Sequence, residues 1–372
     1  MKRIALIVCM MLCCARCASA SEGLTVAARG AVLIDADTGQ ILFAQNADEA
    51  LPMASTTKVM TTLLALEYAD MDETVTAGKN AAGVTGTSLY LSEGETLSME
   101  HMLYGLMLRS GNDAAVAVAE HIAGSVPKFA DMMNARAAEL NADAHFVNPH
   151  GLDAEGHRTT ALGLARIMRE AMRNPEFRTI TGTKRKVIPW VGNEFSRVLE
   201  NKNKLLTTYE GATGGKTGYT GKAGRCLVFS AERDGFELIG AVLNCPTWFD
   251  TATVMLDYGF DNFRPESVYR DGETVRQLPV INGSVDAVDV VTEGELRGVV
   301  RTLLPVDTIV TLPQSLDAPV HAGDVLGTAA IKSDGEVIAS CRLVAAADVE
   351  KRSIREAFRR LLRDWLLQWD VS

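Results

Sequence analysis

The spacing of apolar residues changes twice along this chain, and those two changes limit the folds open to it. Residues 24 to about 50 alternate apolar and polar, with Ala31-Val32-Leu33-Ile34-Asp35 and Ile41-Leu42-Phe43 either side of Asp37-Thr38-Gly39, which predicts a hairpin. Helical spacing then takes over across Thr56–Tyr68, Met99–Leu108, Asp113–Ile122, Val126–Leu140 and Ala161–Met172. Strand-like text returns at Lys186–Trp190, Cys226–Ala231 and Leu238–Leu243, the last two joined by a turn at Asp234-Gly235. Strands, a block of helices, then strands again is the α+β pattern of one antiparallel sheet covered by helices. After Phe263-Arg264-Pro265 only short β-rich runs follow, at Val275–Val280, Ala287–Val291, Gly298–Leu303 and Thr308–Leu312. Asn282-Gly283 and Ser333-Asp334-Gly335 supply turns. We therefore expect a main domain over 21–264 and a small β-sandwich-like domain over 265–350.

Composition supports a packed chain and excludes two partner classes. Of 372 residues 47% are hydrophobic and 23% charged, enough apolar side chains to build a core. The 37 Lys and Arg against 47 Asp and Glu leave a net charge of −10, the wrong sign for a nucleic-acid binder. No apolar run reaches the ~20 residues of a membrane span.

Both ends carry information. Met1-Lys2-Arg3, an apolar run from Ile4 to Cys14 and then Ala18-Ser19-Ala20 predict a signal peptide over 1–20, hence an exported protein. Cys9, Cys13, Cys14 and Cys17 would leave with it, so Cys226, Cys245 and Cys341 remain. Cys226 and Cys245 flank the Asp234-Gly235 turn as diagonal neighbours, and a disulfide between them is left open. No Cys or His spacing resembles a metal site, and no cofactor is implied. At the other end, Ile354, Phe358, Leu361, Leu362, Trp365 and Trp369 form one face of a helix over 351–372. Lys351, Arg352, Arg355, Arg359, Arg360 and Arg363 lie mostly opposite. That pattern suits a helix lying in a membrane interface, although a helix packed on its own protein or in a partner's groove would use the same face.

Three short motifs carry chemistry. Ser55-Thr56-Thr57-Lys58 opens a predicted helix, and residues three apart share a helix face, so the Ser55 hydroxyl can meet the Lys58 amine. A serine becomes a nucleophile when a base takes its proton, and lysine can be that base once burial or a second cation makes it neutral. Ser110-Gly111-Asn112 precedes another apolar helix. Taken alone it reads as an N-cap; in a site, its hydroxyl could relay a proton and its amide could hold a peptide. Lys216-Thr217-Gly218, after Gly214-Gly215, opens a strand-like run. Lysine and threonine can bind a carboxylate, and the glycine clears space for a substrate along the strand.

In this order, S-x-x-K, S-x-N and K-T-G are the set found in penicillin-interacting serine enzymes. The chain resembles the D-alanyl-D-alanine carboxypeptidases, the low-molecular-mass penicillin-binding proteins. The resemblance runs through Leu33-Ile34-Asp35 with Thr38-Gly39, Pro52 to Lys58, Leu103 to Leu106, Ser110 to Ala115, Phe146 to Leu152, Gly215 to Thr220 and Asp257 to Phe260. It implies a β-lactamase/transpeptidase-like domain followed by the β domain and the amphipathic helix. It also implies an activity: Ser55 attacks the bond between the last two D-alanines of a peptidoglycan stem peptide, with Lys58 as base. Ser110, with Lys216 nearby, passes a proton to the leaving D-alanine. Asn112 positions the peptide, Lys216 and Thr217 read its carboxylate, and the N–H groups of Ser55 and Tyr219 hold the oxyanion. β-Lactams would acylate Ser55, and the tail would dock on the outer face of the cytoplasmic membrane.

The chain departs from the pattern at Gly111, where the motif wording has Asp, and at Gly163, where an acidic residue is usual, which puts helix capping there in doubt but not the chemistry. His150 and His157 are expected to shape a loop near the cleft. Glu170 to Asn174, which resembles a deacylating E-x-x-x-N loop, falls in helical text and is read as surface, and Trp190, Trp248 and Tyr104 are read as packing. The competing readings are a β-lactamase, a DD-endopeptidase with the same site, and a non-catalytic wall-binding protein on this fold.

Overall fold

A computed structural model describes residues 24–355, 358 and 359; the expected signal peptide and most of the expected amphipathic helix lie outside them. The chain divides into two compact units between Asp257 and Tyr258.

The first unit is built on a five-stranded sheet. Strands β1 (Gly30–Asp35), β2 (Ile41–Gln45), β3 (Ala212–Thr220), β4 (Gly224–Arg233) and β5 (Phe236–Leu243) lie in the order β2-β1-β5-β4-β3. Every neighbouring pair is antiparallel. The Asp35 carboxylate accepts hydrogen bonds from the Thr38 N–H and hydroxyl (2.7 and 2.5 Å), which closes the first hairpin. Asp234 (φ 51°) and Gly235 (φ 77°) close the β4–β5 hairpin with both central residues left-handed, the turn whose twist matches the strands.

Between β2 and β3 run α1 (Lys58–Tyr68), α2 (Met99–Tyr104), α3 (Asn112–Ala123), α4 (Val126–Glu139), α5 (Ala161–Ala171) and α6 (Pro175–Gly182); α7 (Trp248–Asn262) follows β5. Every residue of α1 from Lys58 to Ala65 is buried. A helix buried on all sides over its first two turns belongs inside its domain, and here other helices surround it. That placement takes Lys58 out of water. Its core joins Val59, Met60, Leu63 and Leu64 to Val32, Ile34, Val228, Ile239 and Ala241 of the sheet.

Several boundaries differ from the sequence reading. The run at 99–108 is α2 followed by one π-helical turn, Gly105–Arg109, which ends on Ser110 in the left-handed region (φ 67°). Ser110 is therefore not the N-cap of α3: that helix starts at Asn112, its N-cap is Gly111, and no side chain caps it. The strand that carries Lys216 begins four residues earlier, at Ala212. Helix α6, capped by Asn174, has only eight residues, too few to show a helical period in the sequence. Gly163 does not leave α5 uncapped: the Thr160 hydroxyl accepts the Gly163 N–H (2.9 Å). A Cβ at Gly163 would stand 2.7 Å from the Asp143 carbonyl, so the position favours glycine for packing. Cys226 and Cys245 are free and buried. The Cys245 thiol points at Thr251 Oγ1 (3.2 Å) rather than across the hairpin.

The second unit has a six-stranded sheet in the order 306–311, 325–333, 336–345, 287–293, 274–281, 316–317, and a two-stranded ribbon of Phe263–Tyr269 with Leu296–Arg301. Leu296 and Val300 of the ribbon share a core with Leu278, Val290, Ala329, Ile331 and Leu343 of the sheet, so from Phe263 to Ala345 the regular structure is β in two layers.

Candidate active site

Ser55 sits in a single 3-10 turn, Ala54–Thr57, that feeds into α1. The turn is strained and braced. Ala54 has φ 49°, while the hydroxyls of Thr56 and Thr57 donate to the Met53 and Ala54 carbonyls (2.6 and 2.8 Å). Strain held by local hydrogen bonds is common where a side chain must be presented in one direction.

The Lys58 amine lies 3.1 Å from Ser55 Oγ. It also donates to the Asn112 Oδ1 (2.7 Å) and to the His150 carbonyl (2.6 Å). All three neighbours are uncharged. Burial, and then the charges of Lys216 and Lys202, hold the Lys58 pKa well below the usual lysine value; the Asp113 charge opposes them. A neutral amine has two N–H bonds and one lone pair. With both N–H bonds directed to the two carbonyl oxygens, the lone pair is left for the Ser55 hydroxyl, which is the geometry of a general base.

Lys216 is 1% exposed, and its ammonium donates to the Thr217 carbonyl (2.9 Å). Burial and Lys202 lower its pKa to about 7. Lys202 is itself lowered by burial and by Arg109. With Lys58 neutral, Lys216, Lys202 and Arg109 leave this part of the site positive, which favours an anion.

Strand β3 is the outer strand of the sheet, and its backbone shows which groups face outward. The Gly215 N–H and C=O both meet Thr181 Oγ1 of α6, and the Thr217 C=O takes the Lys216 ammonium. Gly215 and Thr217 thus turn peptide groups away from β4, the alternation expected of an edge strand in an antiparallel sheet. Tyr219 continues the outward series, and its side chain is 67% exposed.

Gly218 has a second reason to be glycine besides the room for a substrate that its motif suggests. A Cβ there would stand 2.9 Å from Ser55 N, 3.0 Å from the Met53 carbonyl and 3.0 Å from Thr56 N. The glycine lets the strand press against the nucleophile's turn.

The loop after α4 completes the site. The His150 carbonyl faces both Lys58 and Ser55 Oγ (3.4 Å), and Thr61 Oγ1 donates to the Pro149 carbonyl (2.6 Å). Asn148 Oδ1 accepts the Gly151 N–H (2.7 Å). The His150 ring turns back to accept the Leu152 N–H (3.1 Å). His157 Nδ1 accepts the Val147 N–H (3.0 Å), so its Nε2 carries the proton it shares with Thr57 Oγ1 (2.8 Å). Burial lowers their pKa values to about 3 and about 4. Both histidines shape the loop, as expected from the sequence.

Ser55, Lys58 and Asn112 therefore meet directly, Gly218 lies against Ser55, and Lys216 lies within electrostatic reach of Lys58. Ser110, 3% exposed, is held beside Asn112 by the π turn. Sequence reasoning missed three contributors. The His150 carbonyl is a backbone group with no residue signature, Lys202 stands in an unremarkable Asn-Lys-Asn run, and Asp113 follows the motif by one place. Glu170 is occupied by Arg136 and Arg173 (2.8 and 2.9 Å). Trp190 lies against the Arg197 guanidinium (4.9 Å). Among the described residues no group of three His, Cys, Asp or Glu side chains is set to hold a metal ion.

Residues 16–247 match the D-alanyl-D-alanine carboxypeptidase family profile. The chain belongs to the D-alanyl-D-alanine carboxypeptidase family. Residues 263–351 match the C-terminal domain of penicillin-binding protein 5. Among curated relatives of the family, DacF of Bacillus subtilis is 33% identical over 350 residues, covering 91% of this chain and 90% of its own length. DacC of Escherichia coli is 31% identical, covering 89% and 86%. Among solved structures, penicillin-binding protein 5 from Haemophilus influenzae superposes with a TM-score of 0.79 at 30% identity, covering 88% of this chain and 99% of that one.

Proposed function

We propose that this serine D-Ala-D-Ala carboxypeptidase removes the terminal D-alanine of a peptidoglycan stem peptide through an acyl-enzyme on Ser55. The observation that carries the reading is the buried Lys58 amine, 3.1 Å from Ser55 Oγ and bonded otherwise only to neutral carbonyl oxygens. Lys58 takes the hydroxyl proton as Ser55 Oγ bonds to the carbonyl carbon of the penultimate D-alanine. The N–H groups of Ser55 and Tyr219 stabilise the oxyanion. Lys216 and Thr217 hold the terminal carboxylate, and the Asn112 amide positions the peptide. As the peptide bond breaks, the departing nitrogen receives a proton by way of Ser110. Water then attacks the ester, and the shortened peptide leaves. A β-lactam, which carries the same carboxylate and a reactive amide, acylates Ser55 and stays.

The purified protein should release D-alanine from a peptide ending in D-Ala-D-Ala and bind labelled penicillin, and Ser55→Ala should lose both. Release undiminished in Ser55→Ala would refute the assignment. The resemblance of the Met1 to Ala20 text to a signal peptide and the basic-apolar alternation of the tail support an extracytoplasmic enzyme docked on the membrane surface. Ile354 and Phe358, at the start of that tail, are 91% and 63% exposed. No helix among the described residues is long and apolar enough to cross a membrane. Deleting residues 351–372 should release the protein from membrane fractions; unchanged sedimentation with them would defeat the docking.

A further inference from the structure

The Asn112 amide can serve Lys58 in only one of its two orientations. Oδ1 accepts from the amine, so Nδ2 must be held elsewhere, and it donates to the Thr85 carbonyl (2.7 Å). The Asn112 backbone N–H donates to the Thr87 carbonyl (2.7 Å). Both acceptors lie on the segment 83–95, which has no helix or strand of its own. Nothing regular in the backbone fixes those carbonyls, so something else must.

Two groups gather that segment: the buried Arg197 guanidinium, which donates to the Leu89 and Tyr90 carbonyls (2.8 and 3.3 Å), and one carboxylate. Asp113 is 2% exposed and accepts the Ser88 hydroxyl (2.5 Å), the Leu89 N–H (2.9 Å) and the Leu91 N–H (3.1 Å). It also accepts the N–H of Ala114, on its own helix (2.9 Å). A buried carboxylate whose partners are neutral N–H and O–H groups is an organiser of backbone. The segment is pressed close to its target: a Cβ at Gly86 (φ +91°) would stand 2.7 Å from Asn112 Nδ2.

We propose that Asp113 is a positioning residue for acylation: it gathers Ser88 to Leu91 so that the Thr85 and Thr87 carbonyls hold the Asn112 amide, and the amide in turn holds the Lys58 amine beside Ser55. The inference rests on the reading of Ser55 as nucleophile. The charged groups that act on Lys58 are Lys216 and Lys202, which lower its pKa, and Asp113, which raises it; His150, whose carbonyl bonds the amine, is neutral near pH 7. Removing the Asp113 charge therefore has a second, separable effect. The pH below which acylation fails should move down.

The test uses the full chain, labelled penicillin, and acylation rates across pH 5 to 9 alongside melting temperatures. Asp113→Asn should slow acylation at its plateau by about tenfold to a hundredfold, the scale of a misplaced catalytic group, and shift the acid limb to lower pH. Ser88→Ala and Gly86→Ala leave the carboxylate in place and disturb the segment from either side; each should slow plateau acylation several-fold. A purely structural carboxylate would lower the melting temperature and leave the rate and pH profile of the folded protein as in the wild type. That result in Asp113→Asn overturns the proposal. If Asp113→Asn does not fold, wild-type acylation in both other variants overturns it. A wild-type protein that takes no label refutes instead the assignment of Ser55.

Discussion

Gly151→Ala should cripple the enzyme from a residue that has no functional group. Gly151 has φ +89°, and a Cβ there would lie 1.9 Å from the Ala54 carbonyl oxygen, 2.4 Å from the Ala54 carbonyl carbon and 2.9 Å from Ser55 N. All three are backbone atoms of the turn that presents the nucleophile, so no side chain can swing aside. Restoring an ordinary contact of 3.4 Å to the nearest of them requires the loop and the turn to separate by about 1.5 Å. The same movement pulls the His150 carbonyl away from Lys58 and Ser55. A misplacement of about 1 Å at a reacting centre costs on the order of a hundredfold in rate, or about 2.7 kcal/mol of barrier. Stability should fall too, by about 1–2 kcal/mol for alanine in a left-handed conformation and about 1–3 kcal/mol for overpacking. The assay is the second-order rate of penicillin acylation, measured well below the variant's melting temperature, with circular dichroism to establish that it is folded. We expect a loss of about a hundredfold or more. A folded variant acylated within about threefold of the wild type would mean that the turn does not depend on the loop.

Further outcomes follow from the same geometry. Lys216 must be charged to hold a carboxylate and its pKa is about 7, so KM for a D-Ala-D-Ala peptide should rise above that pH, by up to about tenfold per unit; a KM flat to pH 9 would place the carboxylate elsewhere. His150 and His157 titrate at about 3 and about 4 in the folded protein and near 6.5 when unfolded, so the unfolded chain binds more protons between those limits. Stability should therefore fall as the pH drops from about 6.5 toward 4, by up to about 1.4 kcal/mol per unit for each histidine. His157→Gln should make the acid slope of urea-unfolding free energy shallower, and an unchanged slope would remove His157 from that account. Gly218→Ala should lower kcat, because its methyl group meets the backbone of the Ser55 turn; a rise in KM with kcat unchanged would restore the view that the glycine serves only to admit substrate.

Part of this site was legible in the sequence because its signals are local. Ser55 and Lys58 are three residues apart, and that spacing alone brings hydroxyl and amine together once a helix forms. The change of apolar spacing from strand to helix and back gave the sheet with its helical cover, and the lack of helical text after residue 265 separated the β unit. The parts that escaped are non-local or lie in the backbone. Asn112 reaches Lys58 across 54 positions, and the His150 carbonyl across 92. The close approach of Gly218 to the Ser55 turn escaped because strand text does not reveal that a 3-10 turn packs against it. Ser110 looked like a cap because a π turn ending on a left-handed serine has no periodicity of its own. Capping near Gly163 stays in doubt on the sequence because the cap comes from Thr160, three residues earlier.

The most direct test of the whole account is a mass spectrum of the protein after brief exposure to benzylpenicillin. We predict one added penicillin mass per chain, carried on the peptide that contains Ser55 and absent from Ser55→Ala. An unmodified chain, or an adduct on any other residue, would contradict the claim that the buried Lys58 amine makes Ser55 the nucleophile.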